Sequence, residues 1–191
     1  KEIPYRILLI MIIVTTIPTA VAGLLLENLF DTIFSSIIVV GVALLITAVL
    51  MYVTSHIEAG NKTARDITFK DALVVGLCQS CALVPGLSRS GSTIFAGRIS
   101  GFSMKLAVKY SFLCSLPAVV GAIILNIGDL FSQSLTSTQI TGYIGAFIAS
   151  AVAGYLSLNM LSMMAKKKNL MPFAYYCVFA GLLCIVYGIV A

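Results

Sequence analysis

Ser88, Arg89, Ser90, Ser92 and Thr93 follow a Pro85-Gly86 pair within the stretch VPGLSRSGSTIFAG, residues 84–97. Hydroxyl protons, a planar guanidinium fork and backbone laid bare by Gly86 and Gly91 are the groups that grip an anion. Ser88 reads as the N-cap of a helix whose first turn offers free N–H groups and the positive end of the dipole. Phosphate is the anion that this cradle suits best. Arg89, Thr93, Gly97 and Gly101 recur every fourth residue and so share roughly one helix face, with small residues that admit a neighbouring helix or a substrate tail. Cleavage needs more than a cradle. Glu2, Glu27, Asp31, Glu58, Asp66, Asp71 and Asp129 all fall in links or near the ends of apolar runs, and His56 sits alone in a polar link. None makes an acidic pair able to hold Mg²⁺ or activate water.

The setting of this stretch is apolar. Of the 191 residues, 60% are hydrophobic and only 10% charged, whereas a soluble domain carries about a quarter charged residues. Its outer surface must therefore face lipid. The net charge of +5 does not mark a nucleic-acid binder, because the basic residues sit at the ends of apolar runs and form no stripe. Five stretches, roughly 7–26, 33–54, 106–127, 140–164 and 171–190, are long enough to cross a hydrocarbon core as helices. The cysteines (Cys78, Cys81, Cys114, Cys177, Cys184) lie in apolar sequence and read as small hydrophobes. The C-x-x-C of Cys78 and Cys81 has no second pair or histidine beside it.

Residues 71–102 break the pattern. As a helix, DALVVGLCQSCALV reaches only ~21 Å, too short for a ~30 Å core. Pro85 and Gly86 then stop it and the chain restarts at Ser88. Two half-length helices joined at a break predict a re-entrant hairpin, which survives at membrane depth only inside protein or beside a wet cavity. Charge supports this reading. With a hairpin that enters and leaves on one side, Lys1, Arg6, Lys62, Arg65, Lys70, Lys105, Lys109 and Lys166 to Lys168 fall together, opposite Glu27, Asp31 and Asp129. That is the positive-inside pattern. Arg98, Lys105 and Lys109 are expected to snorkel to an interface. Arg89, just past the turn, is expected to stay at depth, where a guanidinium costs about 2.5–3.5 kcal/mol or more and so needs a purpose.

GLCQSCALVPGLSRSGSTIFAG resembles the second signature of the undecaprenyl-diphosphate phosphatase family, approximately G-x-x-Q-x-x-A-x-x-P-G-x-S-R-S-G-x-T. Gly76, Gln79, Ala82, Pro85, Gly86, Ser88, Arg89, Ser90, Gly91 and Thr93 match, and YSFLCSLPAVVGA with the closing spans extends the likeness over essentially the whole chain. The resemblance implies hydrolysis of a C55 isoprenoid diphosphate in recycling of the cell-wall lipid carrier, in a bacterial inner membrane, with the site open to the outer face. It implies Arg89 and Ser88 as catalytic residues, and Ser90, Gly91, Thr93, Gly86 and Gln79 as substrate-binding residues. It also implies a divalent metal such as Mg or Ca. The family's first signature, E-G-x-T-E-x-x-P-x-S-S-T-G-H, with metal-binding glutamates and a catalytic histidine and serine, is not in this sequence. The chain is therefore expected to be an N-terminally truncated member, inactive alone, that carries the phosphate-binding half of the site.

The expected architecture is an all-α integral membrane protein forming one polytopic domain over 1–191. It has five transmembrane helices and one re-entrant hairpin, the second half of an inverted repeat. Its expected partners are the lipid bilayer and an isoprenoid diphosphate, with no nucleic acid; a homodimer is left open. A transporter or flippase for a phosphorylated substrate is the competing reading, since broken helices meeting an anion at mid-membrane are also transporter architecture.

Overall fold

The computed structural model describes residues 5–26, 36–58, 60–132, 136–167 and 169–190. Its helices are α1 (Tyr5–Leu25), α2 (Ile37–His56), α3 (Phe69–Cys81), α4 (Arg89–Ile99), α5 (Met104–Ser132), α6 (Ser137–Lys167) and α7 (Met171–Val190). Five of them, α1, α2, α5, α6 and α7, are long and apolar enough to span a membrane. Leu9, Ile13, Val49, Ile124, Phe147 and Tyr187 are among the many large side chains left exposed on them, as lipid-facing surface requires. The two short helices are the halves of the expected hairpin. They are joined by residues 82–88 and have 13 and 11 residues.

The hairpin is closed at its base by polar contacts and packed along its length by apolar ones. Thr68 and Asp71 form a capping box that starts α3, satisfying two backbone donors that no earlier turn can serve. Lys62 Nζ reaches both Asp71 oxygens, at 3.0 and 2.9 Å. Burial works to raise the Asp71 carboxyl, but Lys62 and the amide and hydroxyl of Thr68 outweigh it and hold the group below its usual value. Lys62 also bridges Phe102 through backbone bonds to Gly101 and Ser103. Both ends of the hairpin thus meet at one level of the bundle.

From there α3 runs beside α1, with Thr15 Oγ1 within reach of the Ala72 carbonyl at 3.1 Å and of Tyr110 Oη of α5 at 2.7 Å. The return helix α4 descends between α2 and α5. Its register is set by Gly91 against Met51 and by Gly97 against Phe102 and Ala107. Tyr110, Phe102, Ile94, Val75 and Leu170 are its fully buried core. α7 lies along α2, and α6 packs against α5 alone; of the described α6 side chains only Leu161 is partly covered.

Three expectations are revised. Arg98 does not snorkel. It is 4% exposed and donates to the carbonyls of Phe102 (2.9 Å), Ile57 (2.7 Å) and Glu58 (2.8 Å). A guanidinium at a helix C-terminus offsets both the dipole and the orphan carbonyls there. Lys105 and Lys109 do remain exposed. Gly101 leaves the Arg89–Thr93–Gly97 face, because α4 ends at Ile99 and Gly101 turns the chain with φ +85°. The thiols are not uniformly buried either: Cys114 and Cys177 are, while Cys81 is exposed. Arg6 and Lys105 lie at the same end as Lys62: α1 runs parallel to α3, Thr15 meeting Ala72 and Thr19 meeting Gly76, and α5 starts just after the Phe102 that pairs with Lys62. Lys1, Glu2, Glu27, Asp31 and Lys168, and the side chains of Asp129, Lys166 and Lys167, lie outside the described residues.

Arg98→Met keeps the packing stem but strands three carbonyls, and is expected to cost on the order of 3 kcal/mol, read as a lower melting temperature in detergent. Because the Asp71 carboxyl is held low, its stabilising contribution is present above the ordinary carboxylate range and lost as the pH falls through the lowered value. Asp71→Asn should therefore flatten the acid limb of a pH–stability profile.

Candidate functional site

The break between α3 and α4 is built around Gly86 and Thr47. Gly86 has φ +91°, a conformation open to glycine and costly for other residues. A Cβ there would lie 2.5 Å from the Val40 carbonyl oxygen of α2, so the turn is also pressed against its neighbour. Thr47, midway along α2, joins the two sides of the turn. Its hydroxyl accepts the Ser88 amide at 2.9 Å, and its single proton serves the Gly86 carbonyl at 3.1 Å and the Ala43 carbonyl at 3.0 Å. Ser88 caps α4 as expected, its Oγ accepting the Gly91 amide at 3.1 Å. Thr47 lies ten residues beyond Ile37 and nine before His56, which puts the start of α4 about 15 Å from either end of that span. The site sits at mid-depth.

Arg89 is the first residue of α4 and is exposed. Its guanidinium makes no hydrogen bond or ion pair with any described residue. A cation at the positive end of a helix, unpaired and about halfway through an apolar bundle, is a strong local demand for an anion. It faces a polar cavity of about 280 Å³ lined by Arg89, Ser90, Ser111, Phe112 and Ser115. A larger cavity of about 610 Å³ shares Ser90, Phe112 and Ser115 with it. It continues past Ser88 along Met51, Ile94, Leu113, Leu116, Leu158, Leu161 and Phe173. The two together have the shape of an amphiphile, with a polar head space opening onto an apolar groove between α4, α5, α6 and α7.

Of the residues singled out from sequence, the structure brings Ser88, Arg89 and Ser90 onto these cavities, the Ser88 and Ser90 oxygens 3.4 Å apart. Gly86 and Gly91 stand behind them in the turn and the first turn of α4. Thr93 and Gln79 lie deeper, 2% and 1% exposed, and line neither cavity. The Thr93 hydroxyl lies 2.9 Å from the Arg89 carbonyl and 2.6 Å from Ser111 Oγ. Gln79 Nε2 donates to Thr19 at 3.0 Å, while its Oε1 and the Ser92 hydroxyl are buried without a partner among the described residues. Among the described residues no three His, Cys, Asp or Glu side chains converge. No carboxylate or imidazole lines either cavity, so the residues present do not fit a metal.

The family model for bacitracin resistance protein BacA matches residues 2–183. The chain belongs to the BacA family. It is 42% identical over 180 residues to an undecaprenyl-diphosphatase of Methanosphaera stadtmanae, covering 94% of this chain and 64% of that protein. Against an undecaprenyl-diphosphatase of Alkaliphilus metalliredigens the identity is 36% over 185 residues, covering 97% and 67%. Against undecaprenyl-diphosphatase 2 of Bacillus thuringiensis it is 37% over 179 residues, covering 94% and 66%. The chain thus spans about two thirds of the length of these curated relatives.

Three positions that hold or line the candidate site of this BacA-family chain escaped the sequence reading. Thr47 is a hydroxyl in the middle of IIVVGVALLITAVLMYVTSH, and a polar group at mid-span that must face protein is a signal in itself. Ser111 and Ser115, four apart on α5, share a helix face, but nothing local says that this face meets Arg89. Thr47→Val keeps the shape and leaves the Ser88 amide and Gly86 carbonyl unpaired, an expected loss of about 1–3 kcal/mol. Thr47→Ser should retain most of the stability. Thermal unfolding of both variants in detergent checks this.

Proposed function

We propose that this chain binds undecaprenyl diphosphate for hydrolysis to undecaprenyl phosphate and phosphate, in recycling of the cell-wall lipid carrier. The unpaired Arg89 guanidinium at the head of α4, opening onto a polar cavity that runs into an apolar groove, is the observation that carries the reading. The fork of Arg89 suits two oxygens of the terminal phosphate. Ser88 and Ser90 can each turn a hydroxyl proton toward it, because the Ser88 oxygen already accepts the Gly91 amide and its proton is free to point outward. The first prenyl units would then lie along Met51, Ile94, Leu116 and Phe173, where burial of apolar surface favours them.

In the hydrolytic step, water attacks the terminal phosphorus and the bond to the bridging oxygen breaks, that oxygen leaving on the prenyl monophosphate. Charge spreads over the equatorial and leaving oxygens as this happens, and a fixed guanidinium stabilises it more than it stabilises the ground state. Water activation, and a divalent cation such as Mg or Ca, would come from groups outside the described residues. The names of the relatives support the substrate, and the match of Ser88, Arg89, Ser90, Gly91 and Thr93 to the family signature supports the site. The basic end, with Arg6, Lys62, Arg65, Lys70 and Lys105, is assigned to the cytoplasmic side of a bacterial inner membrane, and the site to access from the outer face.

The test is phosphate release from a C55 diphosphate by the longer family protein that contains this chain. Arg89→Ala is expected to lower kcat/KM by about 10²–10³-fold, with Arg89→Lys recovering only part of it. Wild-type turnover in Arg89→Ala would remove the assigned role. Substrate-dependent flux across vesicles without phosphate release would instead establish the transporter reading. The 191-residue chain alone is expected to bind the diphosphate without releasing phosphate.

A further inference from the structure

The polar cavity has two walls, and only one belongs to the signature segment. Arg89 and Ser90 form the α4 wall; the other is α5, which contributes Ser111, Phe112 and Ser115. Ser115 lies eleven residues beyond Met104 and nine before Ile124 on the α5 span, the same mid-depth as Ser88 against Thr47. Ser115 is therefore level with the unpaired guanidinium, and Ser111 lies one turn nearer the hairpin base, beside Thr93.

Both serine protons have local acceptors that rotation of the hydroxyl can exchange for the cavity. Ser115 Oγ donates to the Phe112 carbonyl of its own helix at 2.7 Å, a local bond that a hydroxyl gives up by rotating about χ1. Ser111 Oγ stands 2.6 Å from Thr93 Oγ1, and each hydroxyl has one proton. Thr93 can send its proton to the Arg89 carbonyl at 2.9 Å, to the Ser90 carbonyl at 3.2 Å, or to Ser111. When Thr93 serves a carbonyl, Ser111 must donate to Thr93, and its lone pairs are left toward the cavity. When Thr93 donates to Ser111, the Ser111 proton is released toward the cavity. A charged oxygen in the cavity favours the second arrangement, because hydrogen bonds to ionised acceptors are roughly twice as strong as neutral ones.

We propose that Ser111 and Ser115 are phosphate-binding residues: the α5 wall donates two hydroxyl protons to the terminal phosphate of an isoprenoid diphosphate, opposite Arg89, with Thr93 orienting Ser111. This rests on the reading of Arg89 as the anion-binding residue and adds the opposite face of the same pocket. It also gives Thr93 a role that its burial allows. Thr93 is a positioning residue: its hydroxyl sets the direction of the Ser111 proton without lining the cavity.

Affinity can be measured on the 191-residue chain in detergent micelles by calorimetry, with farnesyl diphosphate as the charged probe and farnesol as the probe that has the tail but no phosphate. Wild type should bind the diphosphate saturably and Arg89→Ala should abolish this. Ser111→Ala and Ser115→Ala should each weaken the diphosphate about tenfold, the size of one charged hydrogen bond, and leave farnesol unchanged. Thr93→Val should weaken the diphosphate less than Ser111→Ala does, and Thr93→Ser should restore it. If Arg89→Ala abolishes binding while both α5 serine variants bind like wild type, the two-walled pocket is wrong and the Arg89 site stands. Equal weakening of farnesol and diphosphate by the serine variants would reduce Ser111 and Ser115 to packing, and overturn the proposal. Undiminished diphosphate binding by Arg89→Ala, or no saturable binding by wild type, would overturn the phosphate site itself and this inference with it.

Discussion

A helix broken inside an apolar bundle must find partners for the backbone groups that the break exposes, because no water is there to take them. In this chain one hydroxyl meets much of that demand. Thr47 receives the Ser88 amide and serves the Gly86 carbonyl, so the turn is held by the middle of a neighbouring span. That bond sets where α4 begins, and with it the direction of the free N–H groups and the depth of Arg89. The base of the hairpin is held separately, by Lys62 with Asp71 and by Arg98 with three carbonyls. Fixed at both ends, the half-helices leave little freedom for the residues between them.

The contrast between the two arginines of α4 shows how the same side chain can serve opposite ends. Arg98 stands at the C-terminal end, buried, where the dipole is negative and orphan carbonyls accept its protons. Its charge is compensated by the fold and is structural. Arg89 stands at the N-terminal end, where the dipole is positive and no described residue offers a counter-charge. The fold stabilises the first guanidinium and leaves the second in need of a ligand. Electrostatic imbalance of this kind, held in place by packing, marks a binding site better than proximity of polar residues does.

Much of this was legible in the residues. The five apolar runs, the short half-helices, the Pro85-Gly86 break and the Ser88 cap all follow from composition, length and local backbone chemistry, and the structure reproduces each of them. The pairing of Thr93 with Ser111, and the placement of Gln79 against Thr19, were not legible, because each joins residues on helices far apart in sequence. Arg98 was misjudged for the same reason. A basic residue near a helix end can reach outward to headgroups or inward to carbonyls, and only the position of Ile57 and Glu58 decides which.

The sequence by itself determined what kind of molecule this is: a lipid-facing helical bundle with one interrupted segment that is rich in hydroxyls and carries an arginine just past its break. Those properties depend on hydropathy over short windows and on the dihedral preferences of proline and glycine, which act locally. Only the tertiary structure decided which hydroxyls stand free, how deep the arginine lies and what faces it. Those depend on the register of α4 against α2 and α5, set by contacts such as Gly91 with Met51 and Thr93 with Ser111. Register is a property of packed pairs of helices, and no single helix encodes it.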